Sequence, residues 1–321
     1  MNKSGLNVLV TIDVEEEGLF SGSYLADANS VTNVKHLWKL DSVFREFGIP
    51  PTLLTSYQVA KNPVCKETLS ILKSRWNAEI GAHLHHWNTD PIFLQDIRPP
   101  VPSELIPQEV LKAKTENLIR ELLDISVDAP TSFRMGRFNF GPRMFSVIDG
   151  LGIKVDSSMA PLRSEYGGPE HLTAPSDPYH PDSSDPSKPG QSRMLEVPVT
   201  INPLVCSAGN ILEKARYAGL IRNDRIMGIL CGVLSIPVQP AWTSLNASKA
   251  GVVFHRMKGG RFVTIFFHSS ELAPGLNPLH STEEAVQRFL IKLRRFFNWL
   301  MEKYDARFIT LSQAPHYFQS K

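Results

Sequence analysis

The chain has 321 residues, enough for one large α/β barrel or for two ordinary domains, and its 42% hydrophobic content can fill a sizeable core. Its 34 basic and 32 acidic residues are interspersed and give a net charge of +2, which argues against nucleic acid as a partner. Cys65, Cys206 and Cys231 are far apart and odd in number, which excludes a disulfide scaffold and a zinc-finger spacing.

Short β-branched apolar runs alternate with helical patterns along the chain, an order typical of βα units around a parallel sheet. The first strand is predicted at 8–12 and ends at Asp13, and the first helix at 34–47 stops at Gly48 ahead of two prolines. Further strands are predicted at 52–55, 79–83, 132–134, 153–156, 195–199, 262–268 and 308–311. Further helices are predicted at 65–76, 108–123, 144–151 and 283–304.

Three segments interrupt this alternation. Residues 92–107 are rich in proline, residues 164–193 are rich in Pro, Ser, Asp and Gly, and residues 211–241 carry helical turns between strands. None has the composition of a linker between independent domains, and we find no internal repeat. The sequence therefore predicts a single domain over residues 1–321, with an irregular insertion at about 164–193 that forms a long loop or lid.

Three histidines, His83, His85 and His86, lie within four positions directly after a predicted strand. Imidazole is the commonest metal-binding side chain near neutral pH. An extended backbone would place His83 and His85 on one face, whereas a helical turn would bring His83 and His86 together. A short His-rich tract is only a compositional hint, so loop and packing roles for these side chains stay open at this point.

Polar groups follow four of the predicted strands. They are Asp13 with residues 15–17, the three histidines, Arg134 with Arg137, and His268 with residues 269–271. Each group alone has a structural explanation, as a helix start, an ion pair or a packed histidine. Together they indicate an active site, because the βα loops of a parallel barrel form its active face. Two histidines with one carboxylate and an open position for water are typical of catalytic zinc or iron, and a second carboxylate can accept the proton.

Five motifs in order resemble the polysaccharide deacetylase family, the NodB-homology carbohydrate esterases, over most of the chain. They are residues 11–15, 79–88, 133–138, 155–158 and 266–272. Together with residues 87–89 and 274–275, they are most similar to the WalW-type branch. The resemblance implies an α/β fold, a distorted (β/α) barrel of about seven parallel strands of the glycoside hydrolase-deacetylase type.

The resemblance also implies roles for individual residues. Asp13 would be the general base, Arg134 would orient it, His268 would be the general acid, and Asp156 would set the pKa or tautomer of His268. Substrate would contact Trp87, Arg137 and Phe138, and the metal ligands would be Glu15, His83 and His85, with His86 as the alternative to His85. The sequence departs from the family in two places, because Trp87 stands four residues after His83 and because Asp13-Val14-Glu15 replaces an Asp-Asp pair.

We therefore expect a metal-dependent hydrolase that removes an N-acetyl or other N-acyl group from a sugar or polysaccharide precursor. Zn²⁺ is the expected ion, with Fe²⁺, Co²⁺ and Ni²⁺ as alternatives. An amidohydrolase acting on a non-sugar C–N bond and a non-catalytic barrel that binds a glycan or a metal are the competing hypotheses.

The expected partner is a glycan or small-molecule substrate, and the oligomeric state is left open, a homo-oligomer included. The beginning of the sequence has no signal-peptide core, and its most apolar later window, residues 226–238, is shorter than the roughly 20 residues that span a bilayer. The sequence therefore predicts a cytoplasmic protein without a transmembrane segment.

Overall fold

The computed structural model describes residues 5–22, 24, 26, 30–93, 102–163 and 168–319. The proline-rich stretch and the insertion predicted from the sequence fall partly outside the described residues, at 94–101 and at 164–167.

Within the described residues, eight strands form one parallel sheet and two more form an antiparallel pair. In chain order they are β1 (Leu6–Val14), β2 (Thr52–Ser56), β3 (Glu79–Leu84), β4 (Ser132–Met135), β5 (Val155–Asp156), β6 (Leu195–Glu196), β7 (Ile201–Pro203), β8 (Ser235–Pro237), β9 (Phe262–His268) and β10 (Ala306–Ile309).

The described α-helices number ten and lie between or after the strands. They are α1 (Asp41–Phe47), α2 (Tyr57–Ala60), α3 (Pro63–Trp76), α4 (Gln108–Leu123), α5 (Pro142–Gly150), α6 (Ala208–Tyr217), α7 (Asp224–Val233), α8 (Leu245–Met257), α9 (Glu283–Tyr304) and α10 (Ala314–Gln319). Short 3₁₀ segments occur at Leu19–Ser21, Thr32–Leu40, Ser103–Leu105, Gly136–Phe138, Ser269–Leu272 and Pro278–His280.

Strand β1 organises the sheet because three strands pair with it. One side of β1 pairs with β9 over residues 7–13. The other side pairs first with β10, over residues 6–9, and then with β2, over residues 11–14. The order β9-β1-β2-β3-β4-β5-β6 is parallel throughout, and β10 lies against the first half of β1. The predicted distorted parallel barrel of about seven strands is confirmed.

The gap between β6 and β9 is bridged by Thr200 rather than by a ladder between these two described strands. The backbone N–H of Thr200 donates to the carbonyl of Thr264 at 3.0 Å, and the Thr264 N–H donates to Oγ1 of Thr200 at 2.8 Å. The Phe266 N–H donates to Oε1 of Gln239 at 3.0 Å. Side-chain acceptors thus satisfy backbone groups that a neighbouring strand would otherwise pair.

The helices cover the outer face of the sheet, as α9 illustrates. Oγ1 of Thr282 accepts from the Ala285 N–H at 3.2 Å and caps the first turn, and Asp305 in a left-handed conformation ends the helix. Buried side chains recur along one face of α9, namely Val286, Phe289, Leu293, Phe296, Phe297 and Leu300. Burial of each such side chain contributes about 1.5–3 kcal/mol, so packing holds this helix on the sheet.

Several element boundaries differ from the prediction. The predicted helix at 34–47 is a 3₁₀ segment over Thr32–Leu40 followed by α1. Strand β10 begins at Ala306, two residues before the predicted start, because the left-handed Asp305 turns the chain directly into the sheet. The pair β7–β8 and helix α8 were missed, since the two strands have only three residues each and the apolar residues of 245–257 follow no clean period of 3.6.

The described part of the predicted insertion, residues 168–193, holds isolated bridges and turns instead of a helix or a ladder. The Tyr179 hydroxyl donates to the carbonyl of Pro186 at 2.7 Å and ties this segment together. No helix in the described part of the chain is both long and apolar enough to cross a membrane.

Candidate active site

The register of the parallel sheet places the polar strand ends side by side. Asp13 in β1 lies opposite His268 in β9, and His83 in β3 lies opposite Arg134 in β4. Parallel strands all present their carboxyl ends at the same edge of the sheet. Side chains that are far apart in the sequence therefore meet at one end of the barrel.

Glu15, His83 and His85 form a buried group whose ligand atoms all lie within 4.8 Å of one another. Oε2 of Glu15 is 3.5 Å from Nε2 of His83 and 3.3 Å from Nε2 of His85. The two imidazole Nε2 atoms are 2.9 Å apart. His86 is buried beside Trp87 and lies outside this group. Alternation along the extended chain thus brings His85, rather than His86, to His83.

The second nitrogen of each ring determines where the free lone pairs point. Nδ1 of His83 donates to the carbonyl of Arg134 at 3.0 Å, and Nδ1 of His85 donates to Oε1 of Glu16 at 2.7 Å. Both Nε2 atoms then face each other beside the Glu15 carboxylate. Such an arrangement needs a cation or a proton between its donors, and two imidazoles with a carboxylate match a catalytic zinc or iron site. The residues present therefore fit a divalent metal.

Glu16 holds His85 in place from behind. Besides His85, its carboxylate accepts from Nδ2 of Asn88 at 2.5 Å and from the Ser56 hydroxyl at 3.1 Å. Burial opposes protonation of His85, but the Glu16 and Glu15 carboxylates outweigh it and raise the pKa of His85 to about 10. A carboxylate behind a histidine ligand fixes the ring and increases its basicity.

Gly136 makes room for the same histidine. A Cβ at this position would lie 2.5 Å from Cδ2 of His85 and 2.9 Å from the carbonyl of Leu84. Both distances are too short for any side chain, so only glycine allows the ring of His85 to occupy its position.

Asp13 is anchored by Arg134, whose side chain is fully buried. Nη1 of Arg134 donates to Oδ1 of Asp13 at 2.6 Å, and its other donors reach Oγ1 of Thr11 and both oxygens of Ser157 at 2.8–3.0 Å. Oδ2 of Asp13 lies 4.0 Å from Nε2 of His83. One carboxylate oxygen is thus held by the guanidinium, while the other faces the Glu15, His83 and His85 group.

His268 lies across from Asp13, with its Nε2 atom 4.0 Å from Oδ2 of Asp13 and 4.0 Å from Oε1 of Glu15. Its Nδ1 atom donates to Oε1 of Glu271 at 3.0 Å. Burial disfavours the charged ring, but Glu15, Glu271 and Asp13 outweigh it and raise the pKa of His268 to about 9. Nε2 is therefore the atom of His268 that faces the site.

The prediction that Asp156 sets the tautomer of His268 is wrong, because Glu271 occupies that position. Asp156 accepts from the Ser158 hydroxyl at 2.6 Å and lies in register with Glu196 in β6. Burial raises the pKa of both carboxyls, and that of Glu196 is raised further by the nearby Asp156. The pair ties the ends of β5 and β6 together.

These groups line a cavity of about 240 Å³, which we call the site cavity. Its lining consists of Asp13, Glu15, Leu19, Phe20, Tyr24, His83, His85, Trp87, Met135, Arg137, Phe138, Arg163, Trp242, Phe266 and His268. All three predicted substrate contacts, Trp87, Arg137 and Phe138, are in this lining. The Trp87 ring also stacks on His85, with centroids 4.4 Å apart and an interplanar angle of 23°.

The turn after β4 holds two cavity residues in left-handed backbone conformations. Arg137 has φ 58° and Phe138 has φ 55°, which is unfavourable for side chains of this size. Arg137 donates to the Tyr24 hydroxyl and covers its ring, and Phe138 packs edge-on against Phe266. Such strain is typical of functional sites, where the surrounding contacts over-determine the backbone.

Four contributors were missed from the sequence, namely Glu16, Glu271, Gly136 and Trp242. Glu16 and Glu271 lie in the polar groups that follow β1 and β9, but nothing in one sequence shows which carboxylate of residues 15–17 turns inward. A spacing of three residues between His268 and Glu271 was a usable signal, because a single helical turn brings such a pair together.

Solved structures share this architecture. A structure described as a polysaccharide deacetylase from Mycobacterium smegmatis aligns at a TM-score of 0.58 and 15% identity, over 99% of this chain and 91% of that one. A glycoside hydrolase/deacetylase from Parabacteroides distasonis aligns at 0.65 and 10%, over 99% and 71%. A polysaccharide deacetylase from Pseudomonas aeruginosa PAO1 aligns at 0.51 and 14%, over 99% and 91%.

This chain has the polysaccharide deacetylase fold. The predicted resemblance is confirmed at the level of that fold, and the WalW-type branch stays a prediction. No protein-family model matches the sequence, and no curated protein matches it. At 10–15% identity the likeness shows the deacetylase fold alone, so a function has to rest on the geometry of the site.

Proposed function

We propose that the protein is a metal-dependent hydrolase that removes an N-acetyl or other N-acyl group from a sugar. One observation carries the proposal. The carboxylate of Asp13, which Arg134 holds, lies 4.0 Å from the imidazole of His268, which Glu271 holds. Both groups lie beside the Glu15, His83 and His85 group, which fits a metal. A base, an acid and a ligand set within one cavity are the parts that amide hydrolysis requires.

The ligand set would hold a metal ion that acts as the electrophile. Glu15, His83 and His85 would hold the ion, and Zn²⁺ suits two imidazoles with one carboxylate. When bound, a divalent cation polarises an acyl carbonyl and lowers the pKa of water in the site.

Asp13 is the proposed general base. Since Arg134 occupies Oδ1, the free Oδ2 is the oxygen that accepts a proton from the attacking water. The guanidinium pairs with this carboxylate and aligns it inside a buried pocket, where an unpaired charge would be costly.

His268 is the proposed general acid. Its Nδ1 proton is engaged by Glu271, so only Nε2 can deliver a proton to the leaving amine. An amine leaves poorly as an anion, and protonation by a positioned acid contributes typically about 10²–10⁴-fold to such a step.

The aromatic lining supports a sugar as substrate. Trp87, Phe138 and Trp242 present ring surfaces at the cavity, and Arg137 and Arg163 add hydrogen-bond donors. A pyranose has apolar C–H faces and polar edges, which match such a mixture of rings and donors. The cavity of about 240 Å³ accommodates the acylated end of a glycan rather than a long chain.

Asp13→Asn tests the proposal, with Asp149→Asn as the matched control because Asp149 is exposed on α5. We expect Asp13→Asn to bind metal and to release acetate from N-acetylated amino sugars about 10²–10⁴-fold more slowly than the wild type. Undiminished acetate release in Asp13→Asn would refute the base assignment.

The substrate panel discriminates the competing hypotheses. Faster hydrolysis of simple N-acetyl amides than of N-acetylated sugars would favour an amidohydrolase on non-sugar bonds. Metal binding by the wild-type protein without release of acetate from any acetylated substrate would favour a non-catalytic binding barrel.

A further inference from the structure

Helices α6 and α7 expose an unusual amount of apolar surface. Of the twenty large hydrophobic side chains exposed on the described surface, six lie within residues 211–233. They are Ile211, Tyr217, Leu220, Ile226, Ile229 and Val233, and we call this surface the α6–α7 face. Single exposed hydrophobics are normal, but a concentration of them marks an interaction surface.

The exposed apolar side chains of α6 and α7 do not belong to the hydrophobic core. The inner sides of the two helices already pack in a cluster of their own, in which Leu212, Met227 and Cys231 are buried. On α7, Ile226, Ile229 and Val233 follow the spacing of one outer helical face. A surface helix normally carries polar residues on that side. The α6–α7 face is thus apolar on the solvent-facing side of the helices, where polar residues are usual.

Basic residues alternate with these apolar residues along the chain. The exposed charged residues of 211–233 are Lys214, Arg222 and Arg225, and all three are basic. The acidic residues of this stretch, Glu213 and Asp224, are partly buried, and Asp224 is ion-paired with Arg216. The α6–α7 face therefore combines apolar side chains with exposed charged residues that are all basic.

We propose that the α6–α7 face docks the protein on an anionic phospholipid surface. The apolar side chains would enter the boundary between headgroups and acyl chains, and Lys214, Arg222 and Arg225 would lie among the phosphates. A second copy of the chain is a poorer occupant, because a twofold contact would bring these basic side chains close to the same basic side chains of the second copy.

Vesicle sedimentation of the full chain tests the proposal without any assay of activity. We expect binding to vesicles that contain phosphatidylglycerol, weaker binding to pure phosphatidylcholine, and release as salt is raised. Arg222→Ser with Arg225→Ser should weaken binding to the anionic vesicles about 30-fold. Ile226→Asp with Ile229→Asp should weaken it about 100-fold or more.

Val127→Asp is the matched control, because Val127 is exposed and lies outside the α6–α7 face. It should bind vesicles like the wild type. All variants change exposed side chains, and unchanged thermal unfolding will show that each is folded. Failure of the wild type to bind anionic vesicles overturns the proposal. So does a dimer, measured by light scattering, that Ile226→Asp with Ile229→Asp dissociates. Acetate release from soluble sugars is unaffected by either result, so the proposed hydrolase activity stands or falls separately.

Discussion

Oε1 of Glu271 lies 3.0 Å from Nδ1 of His268, three residues earlier in the chain. The same oxygen accepts from Nε1 of Trp242 at 2.9 Å, and the Glu271 side chain is fully buried. A short 3₁₀ segment, Ser269–Leu272, follows β9 and folds the carboxylate back under the ring. Glu271 therefore holds His268 with its Nε2 atom toward Asp13.

Glu271→Gln should slow reactions that depend on the proposed acid His268 and leave other hydrolytic reactions nearly unchanged. Hydrolysis of an N-acetyl amide needs a protonated leaving group and should slow about 10- to 100-fold, the usual effect of losing an orienting carboxylate. Hydrolysis of an aryl acetate, whose leaving group needs no proton, should change little. The measurement is kcat/KM for both substrates, with the exposed Glu302→Gln as control. Equal losses on both substrates would contradict a role for Glu271 through the acid.

Glu16→Gln should weaken metal binding without removing a ligand. Its carboxylate supports His85 from behind, and loss of such support typically lowers metal affinity about 10- to 100-fold. Competition with a chromophoric chelator measures the affinity. The matched control is Glu17→Gln, because Glu17 bonds Thr32 and the Asn33 N–H instead of a histidine. An unchanged affinity in Glu16→Gln would show that His85 is held by other contacts.

A pair of histidine variants tests the ligand set. His85→Gln should lose tightly bound Zn²⁺, because it removes one of three ligand atoms that lie within 4.8 Å of one another. His86→Gln should retain the ion, since His86 lies outside that group. Metal content after gel filtration, measured by plasma emission spectrometry, decides between them. Loss of metal in His86→Gln alone would establish the helical alternative for this turn.

Because His171 is buried, we expect the folded protein to lose stability in mild acid. Burial lowers its pKa to about 4 in the folded protein, against an ordinary value of 6.5. Above pH 6.5 the ring is neutral in both the folded and the unfolded state, and its titration does not reduce the free energy of unfolding. As the pH falls toward 4 the free energy of unfolding decreases, because only the unfolded state binds the proton in that window. The loss at pH 5 should be about 2 kcal/mol.

Urea midpoints of the wild type and His171→Gln check this expectation at pH 8 and pH 5. The gap in the free energy of unfolding between the two proteins should narrow at pH 5, since glutamine does not titrate. At pH 8 the ring is neutral in both states, so the comparison there gives the packing cost of the substitution alone. A gap that is constant with pH would contradict a neutral buried His171.

Much of the fold was accessible from the sequence because most strands of the parallel sheet contain a short apolar run and the longest helices have a continuous apolar face. Helices α4 and α9 begin and end where the residue spacing predicts. The grouping of Asp13, Arg134 and His268 followed from parallel strands ending at one edge. The proximity of His85 to His83 followed from alternation along an extended chain.

Other parts of the site depend on backbone turns that no periodicity encodes. The inward direction of Glu16 is set by contacts formed only in the folded chain, and the 3₁₀ turn that brings Glu271 under His268 is indicated in the sequence only by their three-residue spacing. Asp156 was misassigned because a strand end indicates where a carboxylate lies but not which group it contacts, and its neighbour is Glu196.

The ladders of the barrel are unequal in length around its circumference. The proposed ligands and Asp13 sit on or just after β1 and β3, of nine and six residues, whereas β5 and β6 have two residues each. The long ladders hold the reacting groups, and the insertion joins the two short strands. Segments on the short-ladder side can therefore change in length or composition while the distances between Asp13, His83 and His268 are preserved.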